Sequence, residues 1–129
     1  MIKYLISGEK KIKDGIKLLD SVNRNCLIVV DLKRCVIGTI TDGDIRRSLL
    51  RKKNINTKLK SICNTKYLCF RRNYNIYDVK KIFLNKKNNI KIIPIIDKNK
   101  KLIKIFTPES FNKKKYRFNK KLKPLKVVI

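Results

Sequence analysis

Apolar residues occur in short blocks along the chain, and their spacing alternates between a helical and an extended period. Residues 12–22 and 76–84 carry apolar side chains every three or four positions, which predicts amphipathic helices. In the first helix, Ile12, Ile16 and Leu19 are expected on the buried face. Mostly apolar blocks, typical of buried strands, occur at 27–30, 36–40, 92–96 and 102–106, and shorter ones at 4–6 and 67–70.

The order of these blocks repeats along the chain. Residues 26–45 read CLIVVDLKRCVIGTITDGDI, and residues 92–111 read IIPIIDKNKKLIKIFTPESF. Asp31 aligns with Asp97 at a shift of 66 residues, with no gap. The same shift pairs Val36 with Leu102, Thr41 with Thr107, Ile45 with Phe111 and, upstream, Ile16 with Ile82.

Each copy therefore predicts strand, helix, strand, strand and helix, an α+β unit whose last two strands form a hairpin. Neither unit is long enough to bury a comfortable core alone, so we expect the two to pack through their sheets with pseudo-two-fold symmetry. The predicted boundaries are 1–57 for the first repeat and 58–112 for the second. Residues 113–129 are interpreted as a basic linker and the start of a following domain.

The composition is strongly basic. The 129 residues include 35 Lys and Arg against 9 Asp and Glu, a formal charge of +26. Such a field attracts nucleic acid, anionic membranes or phosphorylated small molecules. The chain is also rich in Lys, Asn and Ile, the residues of A/T-rich codons, so compositional drift is the alternative explanation. The lysines are spread along the chain, and only KKKYRFNKKLK, residues 113–123, is dense enough for a dedicated basic patch.

The chain has few groups suited to catalysis or metal binding. It contains no histidine, and its four cysteines include no C-x2-C pair. We therefore predict a non-catalytic protein with no metal site and with reduced thiols, located in the cytoplasm. No apolar run reaches the length of a membrane span, and the first residues lack the apolar region of a signal peptide.

Two interpretations fit the polar stretch GTITDGDIRRSLL, residues 38–50. Thr41 can cap a helix, with Asp44 as the acidic member of a capping box. The same geometry can cradle a nucleotide, because a helix N-terminus and the Thr41 hydroxyl suit phosphate and a carboxylate suits ribose hydroxyls. Arg46 and Arg47 are then close enough to reach phosphate oxygens.

With the repeat, this stretch and its counterpart resemble a pair of CBS domains from about Tyr4 to Phe111. In that family the motif G-h-x-T-x-x-D, where h is apolar, lies at an adenosyl-nucleotide site, and Gly38, Thr41 and Asp44 match it. The resemblance implies a regulatory adenine nucleotide (AMP, ADP or ATP), with Thr41 at phosphate or ribose and Asp44 at the ribose hydroxyls. Apolar residues of the opening strand, such as Ile6, would flank the base. It also implies a homodimer formed through the repeats.

The second copy departs from the motif. Lys104 replaces the glycine and Ser110 replaces the aspartate, and serine supplies no carboxylate to ribose. Thr107 and Lys91 are expected either to line a degenerate second pocket or to contact the phosphates of a ligand held by the first copy.

The wording TDGDIRR, residues 41–47, is similar to that of CBS pairs fused in front of sugar-phosphate nucleotidyltransferases. PLKVVI, residues 124–129, resembles the strand that enters the phosphate loop of such an enzyme. The resemblance implies a regulatory module that controls a nucleotidyltransferase domain or another partner enzyme. The alternative is that residues 124–129 form a strand pairing with the CBS sheets or with a dimer mate.

Two rival functions remain at this stage. A nucleic-acid-binding protein on the same scaffold would bind with a steep salt dependence and without need of Asp44. A degenerate dimerisation module would use Thr41 and Asp44 only as a helix cap.

Overall fold

The computed structural model describes residues 2–22 and 25–111, which form two similar halves. The first contains β1 (Leu5–Ser7), α1 (Ile12–Val22), β2 (Cys26–Val30), β3 (Val36–Thr41) and α2 (Asp42–Leu50). The second contains β4 (Phe70–Arg71), α3 (Ile76–Leu84), β5 (Ile93–Ile96) and β6 (Leu102–Phe106). Short 3-10 turns span Ile2–Tyr4, Leu59–Ser61 and Pro108–Phe111.

Each half carries a three-stranded sheet of the same topology. In the first, β2 lies between a parallel neighbour, β1, and an antiparallel neighbour, β3. In the second, β5 lies between β4 and β6 in the same way. The predicted α+β class, with two repeats packed through their sheets, is therefore confirmed.

The two hairpin turns are near-identical in their hydrogen bonds. An Asp31 side-chain oxygen accepts from the backbone N–H groups of Lys33 and Cys35 at 2.8 and 2.9 Å. Asp97 does the same with the N–H groups of Asn99 and Lys101, at 2.8 and 2.9 Å. These turn aspartates explain why an acid follows each central strand.

The turns also join the two halves. The Val36 N–H donates to the Lys100 carbonyl at 2.8 Å, and the Leu102 N–H donates to the Arg34 carbonyl at 3.2 Å. Each bond maps onto the other under the 66-residue shift, which is what a pseudo-two-fold axis between the halves requires.

The ungapped repeat predicted from the sequence is wrong upstream of the central strands. Ile12 and Ile76 both open a helix and are 64 positions apart, whereas Asp31 and Asp97 are 66 apart. The structure therefore does not match Ile16 with Ile82. The connection from α3 to β5 is longer than the one from α1 to β2, and it absorbs the two extra residues.

Side chains alternate between an inner core and two outer cores. The inner core lies between the sheets and includes Ile28, Val30 and Ile96. One outer core packs α1 and α2 on the first sheet, and the other packs α3 on the second sheet. Ile16 is 42% exposed, contrary to the prediction, because Gly15 rather than Ile16 shares the buried face with Ile12 and Leu19.

Three further predictions concern the opening strand of the second half, the C-terminal residues and membrane-spanning segments. The opening strand of the second half is confined to Phe70–Arg71, shorter than the apolar block 67–70 predicts. The basic cluster 113–123 and the apolar end 124–129 lie outside the described residues. None of the helices in the described ranges combines the length and apolar character needed to cross a membrane.

Candidate functional site

The start of α2 is a complete capping box. The Thr41 hydroxyl accepts the Asp44 backbone N–H at 3.1 Å, and Asp44 Oδ2 accepts the Thr41 N–H at 3.0 Å. The reciprocal bonds satisfy backbone donors that the first helical turn leaves unpaired. The capping interpretation of this stretch is confirmed, and it orients the Asp44 carboxylate at the point where β3 ends.

The second carboxylate oxygen of Asp44 is held by an arginine. Arg47 donates to Asp44 Oδ1 at 2.8 Å, one turn along the helix. The Asp44 side chain is 20% exposed and that of Arg47 is 55% exposed. Arg47 lies across the helix start, where a Cβ built on Gly43 would come within 3.1 Å of its guanidinium. The arginine is therefore the more solvent-exposed member of the pair.

Asp44 and Arg47 line a cleft of about 240 Å³, which we call the inner cleft. Its first wall comes from the ends of β2 and β3 and from α2. Its second wall comes from the other half of the protein, through the segments 64–68 and 89–92. The apolar part of the lining consists of Cys26, Tyr67, Leu68, Ile90 and Ile92. The cleft thus combines an apolar surface with a carboxylate, three hydroxyls, two amide side chains and two cations.

A second cavity of about 520 Å³, the outer cleft, adjoins the first. The two cavities share Thr41, Arg47, Asn89 and Lys91 as lining residues. The outer cleft is otherwise lined by polar or small residues, namely Asn25, Asp42, Gly43 and Arg46. It places three cationic side chains from two parts of the chain around one opening.

Burial keeps the thiols beside the inner cleft neutral. It raises the pKa of Cys26 to about 12, and the nearby Asp44 carboxylate adds to the shift. Burial also raises the pKa of Cys63, which lies behind β3. Because a protonated thiol is a weak nucleophile, Cys26 contributes to this wall as a small apolar side chain.

The structure brings together five of the eight predicted site residues. Thr41, Asp44, Arg47 and Lys91 line the inner cleft, and Arg46 joins them at the outer cleft. Lys91 comes from the second half, so it lies beside the first-copy motif rather than in a separate second pocket.

Three predicted residues lie elsewhere. Ile6 is packed in the outer core that covers α1, because alternation along β1 turns Leu5, not Ile6, toward the inner core. Thr107 is buried, and its N–H donates to Ser110 Oγ at 3.0 Å, a neutral version of the Thr41–Asp44 bond.

Gly38 makes a close contact within the chain and is not among the lining residues of either cleft. A Cβ at this position would approach the backbone oxygen of Asn64 to 2.4 Å. Thr39 and Asn64 exchange backbone hydrogen bonds at 3.1 and 2.8 Å, which bring the connecting segment against β3. The absence of a side chain is needed for this contact, and the contact places Asn64 in the inner cleft.

Apart from Lys91, sequence reasoning missed the contribution of segments 64–68 and 89–92. The sequence predicts the apolar blocks 67–70 and 92–96, but periodicity gives no information on which half of the molecule they face. The signal that could have found them is the pseudo-two-fold symmetry, since it brings the second half across the end of β3.

Comparisons with known proteins agree with this geometry. Residues 59–114 match the sequence model of the CBS domain. The CBS domains of a transcriptional regulator from Streptococcus pneumoniae superpose with a TM-score of 0.67 at 17% identity, covering 84% of this chain and 86% of that one. The fold is that of a CBS-domain pair. The sequence matches none of the curated proteins with which it was compared.

Two further CBS pairs are similar in fold and were solved with ligands. CBSX2, a CBS-pair protein from Arabidopsis thaliana, was determined in complex with AMP and has a TM-score of 0.64 at 22% identity, covering 80% of this chain and 79% of that one. The CBS domain pair of protein MJ0100, in complex with 5′-methylthioadenosine and S-adenosyl-L-methionine, has a TM-score of 0.63 at 24% identity, covering 81% of each chain. CBS-domain pairs are generally non-catalytic regulatory modules, in agreement with the prediction that this chain is not an enzyme.

Proposed function

We propose that this CBS pair senses an adenine nucleotide, bound across the inner cleft beside Thr41. The observation that carries the proposal is the meeting of Asp44 and Thr41 with the apolar wall from the second half. The apolar residues suit an adenine ring, and the Asp44 carboxylate can accept two hydrogen bonds from vicinal ribose hydroxyls. The ligands of the two similar CBS pairs, AMP and adenosyl compounds, support the same chemical class.

Calorimetric titration with AMP, ADP, ATP and S-adenosylmethionine tests the proposal. Asp44→Asn retains an oxygen for the Thr41 cap but loses the charge that holds ribose, so the affinity should fall by about tenfold or more. Asp78→Asn is the matched control, because Asp78 occupies the same third position of α3 and does not line either cleft. Its affinity should equal that of the unmodified protein.

Two results would contradict the proposal. Failure of all four compounds to bind removes the function itself. Binding that is equal in the unmodified protein and in Asp44→Asn leaves the function standing but places the ligand elsewhere.

The regulatory output follows from the position of the site. Because its two walls come from different halves, a bound ligand favours the relative orientation of the halves that closes both walls on it. We propose that this orientation controls a catalytic domain, attached or separate, in a cytoplasmic homodimer. Four free thiols are consistent with a reducing compartment. Exposed Leu50, 77% accessible at the end of α2, supplies apolar surface for a dimer contact.

We further propose a sugar-phosphate nucleotidyltransferase as the controlled enzyme, supported by the TDGDIRR wording of residues 41–47. The coding DNA following the codon for Ile129 tests this idea directly. A Gly-rich phosphate loop of the MAGG type in any reading frame supports a fused nucleotidyltransferase domain, and its absence from all frames contradicts the fused arrangement.

A further inference from the structure

We propose that the outer cleft holds the phosphate chain of a di- or triphosphate, so that the preferred ligand is ATP or ADP rather than AMP. This inference rests on the proposed function, since it takes the nucleoside to lie in the inner cleft. It concerns the adjoining cavity of about 520 Å³, which a monophosphate would leave largely unoccupied.

The two clefts divide the chemistry of a nucleotide between them. The inner cleft offers apolar side chains and the Asp44 carboxylate, which suit a base and a ribose. Its volume of about 240 Å³ is below the range of roughly 300–1,000 Å³ usual for small-molecule sites. The shared lining residues make the outer cleft a continuation of the inner one, directed away from the apolar wall.

The cationic side chains of the outer cleft come from two separate segments of the chain. Arg46 and Arg47 project from α2, whereas Lys91 belongs to the connection between α3 and β5. Among the described residues, neither Arg46 nor Lys91 takes part in an ion pair, so their charges are not neutralised by a protein carboxylate. Of the lining residues that the structure describes, Asp42 is the one acid. Because Arg47 is paired with Asp44, the outer cleft offers two unpaired cations, and a third once Arg47 exchanges Asp44 for a phosphate. Three cations match a chain of several phosphates better than a single phosphate.

Arg47 couples the phosphate chain to the ribose. In the structure its guanidinium binds Asp44 Oδ1, the oxygen that a ribose hydroxyl would also use. A phosphate chain entering the outer cleft offers Arg47 a stronger anion, and the exposed arginine can exchange Asp44 for it. Asp44 is then released to the ribose. A nucleoside without phosphates has to compete with Arg47 for Asp44, so its binding is penalised.

Calorimetry in metal-free buffer with adenosine, AMP, ADP and ATP tests the inference. We expect ATP to bind about tenfold or more tightly than AMP, since each phosphate–cation contact contributes on the order of a charge-assisted hydrogen bond. Arg46→Ala and Lys91→Ala should each lower the affinity for ATP by several-fold to tenfold while changing the affinity for AMP little. Asp42→Asn removes the acidic side chain from the lining of the outer cleft, so it should raise the affinity for ATP.

Arg47→Ala should change the affinities for ATP and for adenosine in opposite directions. The affinity for ATP should fall, because the phosphate chain loses a cation. The affinity for adenosine should rise, because adenosine no longer competes with Arg47 for Asp44. The control for non-specific attraction to a basic protein is Arg51→Ala. Arg51 follows α2, has the same charge and lines neither cleft.

The possible results distinguish failure of this inference from failure of the proposed function. Equal affinities for AMP and ATP overturn the inference and leave the proposed function intact. An equal loss of ATP affinity in Arg46→Ala and Arg51→Ala also overturns it, because the attraction is then general. Absence of binding by every compound overturns the proposed function as well.

Discussion

Asp44 stabilises the helix start and can also bind a ligand, and the geometry of its carboxylate allows both roles. One oxygen holds the Thr41 N–H as part of the cap, and the other holds the exposed guanidinium of Arg47. The cap bond is local and partly buried, so we expect it to persist when a ligand binds, whereas the exposed arginine can be replaced. A helix cap and a nucleotide site are therefore compatible interpretations of the same residues.

Gly38 provides a prediction at the scale of a single residue. Gly38→Ala places a Cβ against the Asn64 backbone oxygen, which cannot move without breaking two hydrogen bonds with Thr39. We expect the free energy of unfolding, measured by urea denaturation, to fall by about 1–3 kcal/mol.

Gly43→Ala is the control for that change. The added Cβ would meet only the flexible end of Arg47, at 3.1 Å, and Gly43 lies in the first turn of α2 without a positive φ. Alanine at a helical position should leave stability unchanged or raise it by up to about 1 kcal/mol. Equal destabilisation by both substitutions would show that Gly38 is not kept for close approach.

At the scale of elements, the segment around Leu59 packs on the first half of the molecule. By sequence it belongs to the second repeat, yet the Leu59 N–H donates to the Lys10 carbonyl at 2.8 Å, and Lys60 donates to that of Gly8 at 3.0 Å. The Leu59 side chain is fully buried in the outer core of the first half, against Gly15 of α1. The connection is thus a structural element of the first half and a support for Asn64 in the inner cleft.

Leu59→Ala tests the importance of this segment. Removing a fully buried leucine creates a cavity beside α1, and we expect a loss of about 2–5 kcal/mol in the free energy of unfolding. Leu84→Ala is the matched control, because Leu84 at the end of α3 is 68% exposed and should change stability by less than about 0.5 kcal/mol. A small effect of Leu59→Ala would mean that this segment is not part of the core of the first half.

For the whole molecule, the charge of +26 is the dominant electrostatic property. Like charges at this density repel one another in the folded state more than in the expanded unfolded chain. Salt shortens the Debye length from about 10 Å at 0.1 M to about 3 Å at 1 M, and it screens this repulsion.

We therefore expect the melting temperature to rise as sodium chloride increases from 50 to 500 mM, measured by differential scanning fluorimetry. Chloride is the appropriate salt, because phosphate or sulfate could also occupy the proposed nucleotide site. A melting temperature that falls with salt would show that ion pairs such as Glu9 with Lys58 and Lys60 outweigh the repulsion.

Much of the architecture could be predicted because it depends on local patterns. Helical periodicity located α1 and α3, and mostly apolar blocks located the central strands, each to within about a residue. The turn aspartates Asp31 and Asp97 and the Thr41 cap are also local, since their hydrogen bonds join residues two to four positions apart. Ile16 was misplaced because the buried face of α1 is set by what packs on it, and Leu59 packs on Gly15.

The sequence by itself thus determined the repeat, the hairpins and the capped helix start, because short-range hydrogen bonding and apolar spacing specify them. Only the tertiary structure decided which residues form the cleft. The pseudo-two-fold packing brings Tyr67 and Lys91 of the second half to the end of β3, and it turns Ile6 and Gly38 away. These contacts join residues far apart in the chain, and no pattern of neighbouring residues encodes them.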